Sequence, residues 1–329
     1  MNMSKRKKKR LFIDLHQDLA NYFTDARVLL EMPKEDFTKS FPDCRHADLP
    51  GYEQAGTLLT CATIFPFTIK RKKIVLEDAS RQLESDLKVY RRLFKRGFFP
   101  VKTRGDVPDI PGEKVGLLLH MEGAEALFTP EDVARYFALG VRSIGLTWRY
   151  ANHLAGGDTT KKGVTSHGAD ILRAMREAGL ILDLTHLSKE SFRDALRLWD
   201  GPFMVSHTAF SAFYSHPQNL EDWQIRSVVK KKGLIGISFL KSFYGEKRVT
   251  MESVADQLDW FRGKYGVRNL AVGSDFFGFT LGANPEGLYS IYSLPSFAVA
   301  LARRGWSDAE IDGLFWENAH RFLKRSLPK

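Results

Sequence analysis

Short, nearly continuous apolar runs recur along the chain, separated by longer stretches whose apolar residues return at helical spacing. The runs are LFIDLH (11–16), TLLTCATIF (57–65), VGLLLHM (115–121), VRSIGLT (141–147), LILDLT (180–185), PFMVS (202–206), LIGISF (234–239) and LAVGS (270–274). A strand with one wet face alternates apolar and polar residues, whereas a parallel strand covered on both faces is apolar throughout, so the runs predict buried parallel strands. The stretches between them carry helix punctuation. In TPEDVARYFALG, Thr129 is the expected N-cap, Pro130 the first helical residue, Asp132 the second half of a capping box and Gly140 the stop. Ser188 is expected to cap SKESFRDALRL, and Asn219 to cap NLEDWQIRSVVKKKG, whose early acids and late lysines suit the helix dipole. Over 77–96, Leu83, Leu87, Tyr90 and Phe94 recur at helical spacing, which simple core packing explains. Eight strands alternating with helices predict an α/β fold, a single (β/α)8 TIM barrel, with a doubly wound sheet as the alternative.

Composition changes this picture little. The chain has 329 residues, 43% apolar and 27% charged, and no Pro/Gly/Ser linker divides it, so residues 11–329 are expected to form one domain. The net charge of +10 invites a nucleic-acid partner, but six basic residues fall in Lys5–Arg10, and without them the balance is +4. Residues 1–10 are therefore read as a solvated, disordered tail, and nucleic acid is not an expected partner. No apolar stretch follows the basic start, and no run approaches the roughly 20 residues that span a bilayer, so no membrane partner is expected. Cys44 and Cys61 lack metal-type spacing and read as reduced thiols, which points to the cytoplasm. A homodimer is compatible with the sequence.

The chemistry lies at the strand ends, where this fold builds its sites. His16 and Asp18 end the first run, Glu122 the third, His186 the fifth, His207 the sixth and Asp275 the eighth. One histidine or acid at a strand end is commonly structural; six on one rim are not readily explained that way. Side chains alternate along a strand, so His16 and Asp18 face one way with Cα atoms about 6.5 Å apart, near enough to serve one ion. Asp14 shares that face one step deeper and is expected to be structural or to back a ligand histidine. Three imidazoles and two carboxylates suit Zn²⁺ better than Mg²⁺ or Ca²⁺. Five donors exceed one tetrahedral site and suit two zinc ions. Glu122 would bridge them, with His16 and Asp18 on one ion and His186 and His207 on the other.

In this order, the strings IDLHQDL, HMEGAEAL, LDLTHLS, VSHTAF and VGSDFFG resemble the membrane dipeptidase (renal dipeptidase) family of the amidohydrolase superfamily. The similarity runs from about Leu11 to about Lys324, and WENAHRFLK is similar to that family's closing Asn-containing helix. The resemblance implies zinc-dependent hydrolysis of dipeptides at the mouth of a TIM barrel. It matches His16 and Asp18 to one zinc site, His186 and His207 to the other, Glu122 to the bridge, and Asp275 to the acid that handles protons. Membrane anchoring is not expected to carry over. Three departures concern the substrate. Trp148 stands where the animal enzymes place a substrate-contacting histidine, with Arg149 beside it and His153 a candidate substitute. Gln218 in HPQNL replaces an arginine expected to hold the substrate carboxylate, which Arg149, His153 or Arg226 would have to offset. Phe277 replaces an acid.

The expected reaction is attack of a metal-bridging hydroxide on a carbonyl carbon, with Asp275 taking the water's proton and returning it to the leaving amine. The alternatives are a dinuclear-metal hydrolase of another small amide or lactone and a non-catalytic binding protein that uses its basic tail.

Overall fold

The computed structural model describes residues 10–20, 46–66, 69–70, 73–74, 79–279 and 282–329. Residues 1–9 and Cys44 lie outside them, and with them the expectation of a disordered tail. Eight strands form the barrel: β1 (Phe12–Gln17), β2 (Thr57–Ile64), β3 (Val115–Glu122), β4 (Val141–Gly145), β5 (Ile181–Asp183), β6 (Phe203–Thr208), β7 (Leu234–Ile237) and β8 (Leu270–Val272). All pairings between them are parallel, and β8 returns to β1 at Asp14↔Val272. β2 meets β3 from Leu59↔Gly116 to Ile64↔Met121. A doubly wound sheet would leave two open edges; this sheet has none across its eight strands. A further strand, Phe98–Pro100, lies beside the first residues of β3, and a short antiparallel hairpin pairs Ile69–Lys70 with Lys73–Ile74. The sequence pattern anticipates neither.

Helix ends follow local chemistry where local partners suffice. Ahead of α1 (Pro130–Leu139), the Thr129 side chain accepts the Asp132 N–H and the Asp132 carboxylate accepts the Thr129 N–H, while Gly140 closes the helix at φ 107°. Ser188 Oγ accepts the Ser191 N–H ahead of α2 (Lys189–Leu198). Asn219 does not cap its helix: α3 (Asp222–Lys230) begins behind Glu221. The Asn219 amide is buried and donates to Tyr214 O at 2.9 Å and Phe243 O at 2.7 Å, so carbonyls brought by two loops outcompete the local cap.

Ile13, Leu15, Leu59, Cys61, Leu118, Ile181, Met204, Leu234 and Ala271 fill the barrel interior. Phe322 and Leu323 of the closing helix α4 (Asn318–Ser326) pack into the same cluster, against the starts of the strands. Each such burial contributes about 1.5–3 kcal/mol. Asn318 Nδ2 fixes the helix by donating to Val267 O and Leu270 O. With that end plugged, the ionisable residues gather at the other. Among the described residues no helix is long and apolar enough to cross a membrane.

Candidate active site

Two of the histidine-bearing strands are bulged. Between Asp14 and Gln17 of β1 the partner advances only from Thr60 to Ala62, and between Val205 and Thr208 of β6 only from Ile235 to Ile237. One extra residue re-aims the side chains beside it. Leu15 thus stays in the barrel core while His16 enters the rim cluster, and consecutive Ser206 and His207 both face the site. The ends of β1 and β8 are then zipped together, Asp275 N–H donating to His16 O and Asp18 N–H to Phe276 O.

Backbone strain collects here as well. Four described non-glycine residues have positive φ, and three are at this rim: His186 (63°), Asp275 (65°) and Phe277 (69°). Such conformations cost on the order of 1–3 kcal/mol each and persist only where neighbours enforce them. His186 O accepts the Thr147 hydroxyl and the Asp158 N–H, and the Phe277 N–H donates to His46 Nδ1 at 3.1 Å. Gly278 leaves room for the cluster: a Cβ there would lie 2.4 Å from Asp18 Oδ2 and 2.5 Å from Asp275 Oδ1.

Glu122 lies at the centre. Its Oε2 is 3.7 Å from His16 Nε2; its Oε1 is 3.0 Å from His186 Nε2 and 3.6 Å from His207 Nε2. His16 Nε2 is also 3.4 Å from Asp18 Oδ2 and 4.0 Å from Asp275 Oδ1, and the Nε2 atoms of His186 and His207 are 3.2 Å apart. Two overlapping donor sets lie compactly enough to hold an ion, His16, Glu122 and His207, or His16, Asp18 and Asp275; sharing His16, they are alternatives for one ion, not two separate sites. This grouping differs from the sequence expectation, which gave Asp275 no place among the donors and joined His207 with His186.

All six groups are buried. Burial works against protonating His16, yet Glu122, Asp18 and Asp275 raise it to about 10. For His186, burial is likewise overcome by Asp158 and Glu122, which raise it to about 9. Burial, helped by His16, His186 and His120, holds His207 far below its ordinary value. Burial pushes Asp275 well up, and Asp18 and Glu122 push it further. Carboxylates so placed call for positive charge, and His16 Nε2 is buried without a hydrogen-bond partner. Imidazole and carboxylate donors at this spacing fit a divalent ion of zinc's chemistry.

The substrate-side candidates divide. Trp148 lies at the rim, its ring centroid 6.0 Å from that of His186 and 5.4 Å from that of Phe65. The Arg149 guanidinium is 5.9 Å from the Trp148 ring centre, and no ion pair among the described residues engages it. Gln218 is buried next to His207, donating from Nε2 to the His207 carbonyl at 3.2 Å. His153 is engaged elsewhere: it stacks on Phe128, and its Nε2 is 2.9 Å from Leu127 O. Arg226 is exposed and paired with Asp222 on α3. Neither is brought to the cluster.

Asp14 does not back an imidazole. Its carboxylate accepts the Ser274 N–H and hydroxyl, the Gln17 amide and the His16 backbone N–H. The groups behind His186, Asp18 and His207 do not stand out in the sequence. Asp158 Oδ2 is 3.0 Å from His186 Nδ1, Thr63 donates to Asp18 Oδ1, and Ser206 Oγ meets His207 Nδ1. Asp158 occurs in GGDTT, which locally reads only as a turn.

The model for "membrane dipeptidase (peptidase family M19)" matches residues 3–326. A protein of Klebsiella pneumoniae, described as an uncharacterised protein in the pqqA 5′ region, is 28% identical over 238 residues, covering 68% of this chain and 86% of the relative. Dipeptidase tcpJ of Claviceps purpurea is 28% identical over 218 residues, covering 64% of this chain and 51% of the relative, so the chain spans about half the length of that dipeptidase. Among solved structures, the metallopeptidase dipeptidase AC is 25% identical with a TM-score of 0.84, covering 98% of this chain and all of the other. A Rhodobacter sphaeroides metallopeptidase, liganded with a phosphinate mimic of L-Ala-D-Ala, is 23% identical with a TM-score of 0.83, covering 97% and 100% of the two chains.

Proposed function

Because this chain belongs to the membrane dipeptidase family of peptidases, a family of hydrolases, we propose that it is a zinc dipeptidase acting on a small peptide substrate. His16, Asp18, Glu122, His186 and His207 would hold two zinc ions. The observation that carries this is the two-sided placement of Glu122, one carboxylate oxygen toward His16 and the other toward His186 and His207. Bound there, zinc would acidify a water and polarise the scissile carbonyl.

The remaining steps belong to side chains of this chain. Asp275, buried beside His16 and raised above the ordinary carboxyl range, accepts a proton from the attacking water at Oδ1 and delivers it to the leaving amine. Trp148 and Phe65 form an apolar wall that keeps bulk water from one side of the peptide. Arg149 and Gln218 receive the polar end of the substrate.

The test is zinc content by elemental analysis together with hydrolysis of a dipeptide panel. Close to two equivalents and turnover of at least one dipeptide are expected, and Glu122→Ala should lower both zinc equivalents together. Full occupancy in Glu122→Ala removes the bridge; a zinc-free protein that cleaves no dipeptide removes the proposal. Gln218 favours a second reading. A neutral amide grips a carboxylate less firmly than a guanidinium, so substrates with a blocked or uncharged C-terminus, or another small amide or lactone, suit this site.

A further inference from the structure

Below the rim, the barrel interior holds a fully enclosed polar cluster that the reaction above leaves unused: His120, Asp183, Thr185 and Ser206, all buried. Asp183 is the acceptor at its centre. Its Oδ1 takes the Thr185 N–H (3.0 Å), the Thr185 hydroxyl (2.7 Å) and the Ser206 N–H (2.9 Å). Its Oδ2 takes the Ser206 hydroxyl at 2.5 Å and faces His120 Nε2 at 3.2 Å. The one proton of the Ser206 hydroxyl is therefore committed to Asp183, and its oxygen is left only as an acceptor.

Two imidazoles face that oxygen. His207 Nδ1 is 3.0 Å from Ser206 Oγ, and His16 Nδ1, from the far strand β1, is 3.4 Å away. Their ring centroids are 3.8 Å apart. An oxygen that only accepts requires N–H on the ring atoms facing it, so both rings carry hydrogen on Nδ1. That leaves Nε2 of each ring as the atom facing Glu122: on His207 as a lone pair, and on His16 as a proton held toward the carboxylates that a metal ion would displace. The bulge in β6 makes this possible by turning Ser206 and His207 to the same side. Its carbonyl is accommodated by glycines: a Cβ at Gly236 or Gly273 would fall 1.8 Å or 1.7 Å from Ser206 O.

We propose that Ser206, held by Asp183, is a positioning residue that keeps hydrogen on Nδ1 of His16 and His207 together and so aims the Nε2 atoms of two candidate metal donors, from strands β1 and β6, with one hydroxyl. Its consequence for metal affinity rests on the zinc reading; the tautomer assignment does not. His186 is outside the device, because its Nδ1 faces the Asp158 carboxylate at 3.0 Å. That makes His186 an internal control.

The experiment uses protein with 15N-labelled histidine, zinc-loaded and metal-free, comparing the native chain with Ser206→Ala. Side-chain N–H signals are assigned from His16→Gln, His207→Gln and His186→Gln. In Ser206→Ala the Nδ1–H signals of His16 and His207 should move upfield and exchange faster with water, while the His186 signal stays in place. Chelator competition should show both zinc equivalents weakened about 10–100-fold, the scale for losing a group that orients a ligand. Asp183→Asn keeps the hydroxyl but weakens its acceptor; it should move the same two signals in the same direction, and it serves if Ser206→Ala does not fold. Unchanged His16 and His207 signals overturn the proposal, as does equal displacement of all three histidines, the mark of general loosening. A native protein that takes up no zinc refutes the metal reading instead, and the metal-free spectra still decide the role of Ser206.

Discussion

Asp275 and Gln218 show how far single residues govern this site. Asp275 is held at positive φ by backbone bonds and crowded by Asp18 and Glu122, so its carboxyl takes up a proton far more readily than an exposed aspartate. Asp275→Asn keeps the shape and removes the proton acceptor. Turnover should fall by roughly 10²–10⁴ with the fold intact, as steady-state kinetics and circular dichroism would register; near-native turnover would remove Asp275 from the chemistry. Gln218 makes the opposite kind of prediction, a gain. Its amide is engaged with the His207 carbonyl and offers a carboxylate no charge. Hydrogen bonds to charged groups contribute about 1.5–3 kcal/mol against about 1 for neutral ones. Gln218→Arg should therefore lower KM for free dipeptides about tenfold while zinc content stays constant. If KM does not respond, and Arg149→Ala raises it instead, the carboxylate is held from the β4 side.

Among the elements, the segment after β8 depends on a contact remote in sequence. His46 accepts the Phe277 N–H through Nδ1, lies against Asn284 through Nε2 and stacks on Phe276. Burial pushes its pKa from 6.5 down to about 4, against a smaller opposing effect of Asn284. The sign follows from proton uptake. Between pH 6.5 and 4 the unfolded chain binds a proton here that the folded chain refuses, so this contribution to stability is complete above pH 6.5 and is lost as pH falls toward 4. The shift corresponds to at most about 3 kcal/mol. His46→Gln, which retains an acceptor without the titration, should show a shallower loss of denaturation midpoint between pH 6.5 and 4. An identical pH profile would show that His46 does not govern acid stability. Elements also explain where local reading stops. The Thr129–Asp132 box forms because both partners lie within one turn, whereas Asn219 abandons its helix for carbonyls that only the folded loops supply.

For the whole molecule, the rim joins distant parts of the sequence: His16 from β1, Glu122 from β3, and His186 and His207 after or within β5 and β6. An ion shared among them would brace the barrel at the end opposite α4. Removing it would leave Asp18, Glu122 and Asp275 facing one another. A ligand at one hundred times its dissociation constant stabilises a fold by about 2.7 kcal/mol. In a large domain each kcal/mol moves the midpoint by about 2–4 °C. Chelation should lower Tm by at least about 5 °C, and zinc, but not magnesium, should restore it. A Tm indifferent to chelator would mean that protonated His16 and His186 balance the rim carboxylates without an ion.

What the sequence determined by itself is what short-range physics encodes. Eight doubly covered strands appear as apolar runs, α1 and α2 declare their caps, and the fold places residues that follow those runs at one rim. Hence His16, Asp18, Glu122, His186, His207 and Asp275 were legible as neighbours before any coordinate. Which atoms meet was decided only in three dimensions. The bulges in β1 and β6 arise from pairing register between strands, and no local pattern announces them. Asp158 and Ser206 acquire their partners through barrel closure, and His153 lies outside the cluster, stacked on Phe128 and bonded to Leu127 O. A strand's periodicity fixes where a side chain begins; the hydrogen-bonding partner it finds depends on chain segments tens to hundreds of residues away, brought near only when the eighth strand pairs with the first.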